Sequence, residues 1–202
     1  MNGIRIREDK TKGTIMKKTE RLVVGKFMFY FLTAVSCFIE ICPAVSQDQG
    51  KLPAAVNRDS VISAAREIMG AQQYCALITI DSAGVPQART MNPFPPEKDM
   101  SVWMATNTRS RKVREIRNNP KVCLYYADHG KATGYVAITG RAVLVDDMNE
   151  KLKRKRDYWD QAFPDWKYLV LIQVVPERLE VLNYKRGLSN DPVTWREPFI
   201  DF

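Results

Sequence analysis

Four basic residues crowd one helix start: Arg109, Arg111, Lys112 and Arg114, within TNTRSRKVREI (residues 106–116). A helix N-terminus already presents unpaired N–H groups and about half a positive charge. Each cation added there costs roughly 0.3–1 kcal/mol unless something compensates. An anion docked among them reverses that sign, and Ser110, the backbone N–H groups, Arg111 and Lys112 then make a phosphate clamp. The competing reading is a solvated basic surface whose long side chains lead their charges away from the dipole. The pattern alone leaves the two level.

Other chemistry is sparse. His129 is the single histidine of 202 residues, which excludes a multi-histidine metal centre within one chain and any Ser-His-Asp triad built on another histidine. Beside Gly130 in a predicted turn, it reads as a surface residue without an orienting partner. Four cysteines in a chain this long are no disulfide framework. Cys75 and Cys123, in apolar strand-like runs, read as two buried thiols, with pairing the alternative in an oxidising compartment. A second basic run, KLKRKRDYW (residues 151–159), reads as a solvated helix face, with nucleic-acid binding the lesser reading.

The elements that must position the cations follow from composition and pattern. With 45% hydrophobic and 27% charged residues, Gly 10 and Pro 11, the chain is neither collagen-like nor disordered. Residues 1–46 read as a leader. Lys17, Lys18, Arg21 and Lys26 precede the apolar run FMFYFLTAVSCFI (residues 27–39), and Ala44-Val45-Ser46 offers a cleavage site. Met16 is an alternative start, and Cys37 after Val35-Ser36 is a weak lipidation reading. This leader predicts export to a periplasm, with a cytoplasmic protein the alternative if it is misannotated. It holds eight Lys/Arg against four Asp/Glu, so half of the formal net charge of +8 leaves with it. No twin-arginine pair precedes the apolar run.

Residues 47–57 read as a linker and 58–202 as one domain, large enough to bury its own core. Asp59 or Ser60 caps a first helix through about Met69, with Gly70 after it. YCALITID (74–81), a Ser82-Ala83-Gly84 turn and PQARTMNPF make a hairpin. Met100–Asn107 is a third strand, Thr108–Asn119 a helix stopped by Asn-Asn-Pro, and Lys121–Asp128 a fourth strand. Ala132–Asp147 is a long fifth strand whose Gly140 suggests a bulge. A charged helix over Met148–Ala162 follows, then two strands broken near Pro176. The fold class is mainly β: about six antiparallel strands in a closed or partly closed barrel with flanking helices.

The run TNTRSRKVREIRNNPKVCLYY (106–126), taken in order with YCALITID, ARTM and YLVLIQVVPERLEVLN, resembles the pyridoxamine 5′-phosphate oxidase-like superfamily of FMN-binding split barrels, closest to its general-stress-protein type. The likeness spans most of residues 58–186. It implies that Arg89, Arg111 and Lys112, with Ser110 adjacent, grip the FMN phosphate. It also implies that Thr90, Met91 and Asn92 follow the flavin ring edge and that Ala105 and Thr106 meet the ring or ribityl chain. Homodimers with FMN at the protomer interface are expected. Arg89 alone would pass as an outward strand charge, but with Arg111 and Lys112 it makes three positive groups for one dianionic phosphate. The departures count against vitamin B6 oxidation: Phe94 replaces a substrate-binding lysine, Tyr135 a flavin-contacting glutamine, and the tail DPVTWREPFIDF has no histidine. Trp195 either reaches the flavin or packs the tail. The resemblance thus implies an FMN-dependent oxidoreductase of unidentified substrate, or alternatively a non-enzymatic flavin or haem binder for which His129 is the only histidine ligand on offer.

Overall fold

The computed structural model describes residues 57–202; the expected leader and nearly all of the linker lie outside them. The opening helix α1, Arg58–Ala71, is capped two or three positions earlier than the Asp59 or Ser60 expected. Asn57 takes the cap because its side chain accepts from the Asp59 N–H at 3.0 Å. Gly70 is inside α1, which turns Val61, Ala64, Ala65, Ile68 and Met69 into the core.

Strands β1 (Cys75–Ile80) and β2 (Pro86–Met91) form the expected hairpin. Asp81 closes its turn by accepting from the Ala83 and Val85 N–H groups, and Gly84 takes a left-handed φ of 79°. Then come β3 (Val102–Asn107), α2 (Arg111–Asn118), β4 (Lys121–Ala127) and β5 (Gly134–Val145). After α3 (Met148–Lys153) and α4 (Trp159–Ala162) the chain ends with β6 (Leu169–Asn183) and the short β7 (Phe199–Asp201). All pairings are antiparallel, in the order β2-β1-β4-β5-β6-β3, with β7 on β6. The sheet curls into the half-barrel of a split barrel, mainly β with flanking helices. Its inner face and α1 enclose Leu77, Met104, Leu124, Ile138, Ile172 and Leu179. A second cluster, Trp103, Trp159, Leu169 and Leu171, lies on the other face of β3 and β6.

Two expectations change here. The residues around Pro176 form one 15-residue strand, not two. A register shift at Thr139/Gly140 sets Gly140 opposite Pro176, so the bulge absorbs the proline's missing N–H without ending the strand. The expected helix over Met148–Ala162 breaks in the middle, and its basic run is only in part a solvated face: Lys153 and Lys155 stay exposed. Lys151 and Arg154 are buried. Arg154 turns inward, 3.8 Å over the Trp103 ring, and pairs with Glu97 at 2.5 Å and with Glu150. A guanidinium held on three sides cannot also follow a continuous exposed helix face.

Candidate functional site

Strand alternation decides which way each β2 residue points. Gln87, Arg89 and Met91 share the inner face with their cross-strand partners Thr79, Leu77 and Cys75. Arg89 is therefore not an outward strand charge; its side chain is only 16% exposed. Met91 lies in the core, Thr90 is exposed on the opposite face, and the Asn92 amide reaches the Tyr158 hydroxyl at 3.5 Å. Pleating thus divides Thr90 and Met91 between two faces.

The inner face of the hairpin meets the start of α2. Helix α2 begins at Arg111, later than expected, because residues 107–110 form a turn closed by Ser110 N–H to the Asn107 carbonyl at 3.0 Å. Arg109 precedes the helix and stacks 3.7 Å from the Tyr168 ring centroid, so it leaves the cluster. Ser110 is the N-cap, yet its side chain makes no capping hydrogen bond. Its hydroxyl stands 3.5 Å from that of Thr106 instead; the Val113 N–H donates to the Ser110 carbonyl at 3.1 Å, which leaves the Arg111 and Lys112 N–H groups without an acceptor among the described residues.

The structure brings Arg89, Arg111 and Lys112 together, with one addition. Glu115, 5% exposed, lies beneath them: it accepts from the Thr79 hydroxyl at 2.5 Å and pairs with Arg89 at 2.8 Å and Arg111 at 3.0 Å. Its cover is the guanidinium groups themselves more than the depth of the core. Burial pushes the Glu115 carboxyl up, but the Thr79 hydroxyl, Arg89 and Arg111 outweigh this and hold it below the ordinary glutamate range. Gln87 accepts from Arg111 at 3.0 Å. Lys112 donates to Thr106 at 2.9 Å and has no carboxylate within ion-pairing distance among the described residues. Burial and the Arg89 charge pull its pKa down, with Glu115 acting the other way.

Glu115 is the residue sequence reading missed. Its i+4 spacing from Arg111 was visible as a helical ion pair; its reach to Arg89 and Thr79 needed the hairpin register. It supplies part of the compensation that the basic helix start demands. Ala105 packs on the tryptophan cluster while Thr106, one residue on, is buried on the opposite face. Trp195 is 75% exposed in a tail turn with φ 56°. Tyr135 donates to Glu197 of the tail at 2.9 Å. His129 sits on an exposed turn, 6.1 Å from the Tyr125 ring. Among the described residues Cys75 and Cys123 are free; Cys75 is buried but Cys123 only half-buried.

A curled antiparallel half-barrel with a cationic helix start packed on its inner face defines the split-barrel class. A family profile described as pyridoxamine 5′-phosphate oxidase matches residues 62–183, more than half of the sequence, and the chain belongs to that family. Among solved structures it is similar to general stress protein 26 from Bacillus anthracis, at 20% identity and a TM-score of 0.55, over 69% of this chain and 97% of that one. A protein from Clostridium acetobutylicum related to general stress protein 26 is 20% identical, TM-score 0.56, over 64% of this chain and 92% of that one. A heme binding protein from Mycobacterium smegmatis is 15% identical, TM-score 0.51, over 63% of this chain and 55% of that one. At these identities the likeness is one of fold. No curated protein matches the sequence.

Proposed function

We propose that this chain is an FMN-binding oxidoreductase whose clamp of Arg89, Arg111, Lys112 and the α2 N-terminus takes the flavin phosphate. The charge balance carries the reading. Three cations less the Glu115 carboxylate leave two positive charges, matching a phosphate monoester dianion, and the uncapped helix start adds unpaired N–H donors. Glu115 fixes the inner guanidinium, Arg111 stays 61% exposed and free to turn to an incoming oxygen, and Lys112 contributes a charge without a carboxylate of its own. When bound, FMN supplies hydride or electron transfer; the chain's residues anchor it, orient it and shape access. Haem is the weaker reading, since its one histidine candidate, His129, lies on an exposed turn away from these cations.

Flavin fluorescence quenching tests the clamp. FMN should bind far more tightly than riboflavin, and Arg111→Ala with Lys112→Ala should cost at least 100-fold in FMN affinity, two charge-assisted hydrogen bonds at roughly 1.5–3 kcal/mol each. Unchanged affinity rejects the site. Turnover of a reduced nicotinamide with FMN would separate an enzyme from a flavin carrier.

The homodimer belongs to the same proposal. Ala76 and Ile78 of β1, Cys123 and Tyr125 of β4 and Ala137 of β5 are register neighbours on the outer sheet face, all half-exposed and mostly apolar. A second copy covering that face would hide them, and Ile78→Asp should then halve the mass seen by light scattering. Export is likewise proposed; N-terminal sequencing of the mature protein checks it.

A further inference from the structure

A cavity of about 400 Å³ opens between the C-terminal end of α1 and the segment following β2. That size suits a small organic molecule. Met69, Phe94 and Tyr126 line it together with Asn92, Arg66 and Arg156, and it shares none of the clamp cations.

The charge of this cavity is one-sided. No lining residue is acidic, and neither arginine has a carboxylate within ion-pairing distance among the described residues. The nearby acids are engaged elsewhere, Glu97 by Arg154 at 2.5 Å and Asp160 by Lys155 at 2.7 Å. The two guanidinium groups differ in what they have left to give. Arg66 donates to the backbone carbonyls of Pro96, Glu97 and Lys98 and serves as a latch on that loop. Arg156 donates once, to the Pro93 carbonyl at 2.7 Å, and its guanidinium carbon stands over the Phe94 ring, 4.0 Å from the centroid. Its place is therefore fixed while most of its N–H donors have no acceptor in the described chain. Tyr126 adds a polar point: the residue is 2% exposed, and its hydroxyl, beside only the weak acceptor Cys75 Sγ, has no protein hydrogen bond of good geometry. Buried hydroxyls without a partner are uncommon and cost free energy.

We propose that this cavity binds a small planar organic carboxylate. One guanidinium with free donors suits a single negative charge presented by two coplanar oxygens, in contrast to the three-cation cluster suited to a dianion. The Phe94 ring and the Met69 side chain receive a planar apolar body. Asn92 places the cavity relative to the clamp. It lies three residues past Arg89, about 10 Å along an extended chain, comparable to the reach of a ribityl phosphate. The carboxylate compound would then stand at the ring end of a bound flavin as its second substrate. That last step rests on the FMN reading; the binding itself does not.

The probes are benzoate, its uncharged analogue benzamide, and phenyl phosphate, titrated into the purified protein by calorimetry or ligand-observed NMR. Benzoate should bind saturably, at least tenfold more tightly than benzamide in the unaltered protein and than phenyl phosphate once the clamp is removed. Arg156→Gln should weaken benzoate at least tenfold and leave benzamide unchanged, while Arg156→Lys should fall between. Arg111→Ala with Lys112→Ala should leave benzoate binding intact, so loss of FMN binding and loss of benzoate binding are read separately. Absence of saturable benzoate binding, equal binding by the glutamine variant, or a preference for phenyl phosphate in the Arg111→Ala with Lys112→Ala variant each overturns the proposal. If the glutamine variant does not fold, the benzoate-to-benzamide ratio of the unaltered protein decides.

Discussion

Glu115→Gln is the perturbation that probes the clamp most directly, because it keeps the shape of the side chain and removes its charge. In the native chain the carboxylate serves Thr79, Arg89 and Arg111 at 2.5, 2.8 and 3.0 Å. Arg111, 61% exposed, can turn to water; Arg89, 16% exposed, cannot fully do so. Removing one partner of a fully buried ion pair costs about 3–5 kcal/mol. Here the amide oxygen keeps one acceptor and Arg89 retains some hydration, which lowers the expected loss to about 2 kcal/mol. In a domain of this size that is a Tm drop of about 4–8 °C at pH 7. The pH dependence supplies the sharper reading. Burial raises the Glu115 pKa, but Thr79, Arg89 and Arg111 together bring it below the ordinary value. A depressed folded pKa contributes stability that is present above the unfolded pKa, near 4.3, and is lost as pH falls through the lower folded value. The gap between native and variant melting temperatures should therefore be full at neutral pH and close on acidification below about pH 4. Inorganic phosphate should raise the variant's Tm more than the native protein's, since an anion can then take the place of the missing carboxylate. Thermal melts by circular dichroism from pH 3 to 8, with and without phosphate, measure all three. A variant as stable as the native chain at pH 7, or a gap that persists unchanged at low pH, would refute the electrostatic account.

Further outcomes follow from the packing. Gly140→Ala sets a Cβ about 2.1 Å from the Val175 carbonyl oxygen, a backbone atom that cannot yield, so a loss of about 3 kcal/mol or insoluble expression is expected. Gly70→Ala, in open space inside α1, should instead raise stability by about 0.5–1 kcal/mol, read from the same denaturation curves. Burial pushes the Cys75 thiol up to about 12, so peptide mapping after thiol labelling at pH 8 should find it unmodified in the folded protein, with half-buried Cys123 labelled slowly. Trp159→Ala should cost about 3–5 kcal/mol, because the ring is fully buried against Phe94, Phe163 and Trp166.

Local pattern was enough for much of the fold. The hairpin showed in alternating strand formers around a glycine turn, and the end of α2 in Asn118-Asn119-Pro120. The basic run after β5 misled, because periodicity and charge describe a helix in water. Trp103 and Glu97, some fifty residues earlier, turn Arg154 inward. Pro176 misled in the same way: a lone proline argues for a strand end, and only the register against Gly140 shows a bulge that accommodates it.

By itself the sequence determined that cations gather at one helix start and that an antiparallel mainly-β scaffold carries them, because charge, turn chemistry and strand alternation act over a few neighbouring residues. Tertiary structure alone decided that Arg89 faces inward, that a buried Glu115 stands among the cations, and that a carboxylate-free cavity with an underused arginine lies beyond the end of β2. Each of these depends on which side of a pleat meets which helix, and strand register and packing fix that across distances no local pattern spans.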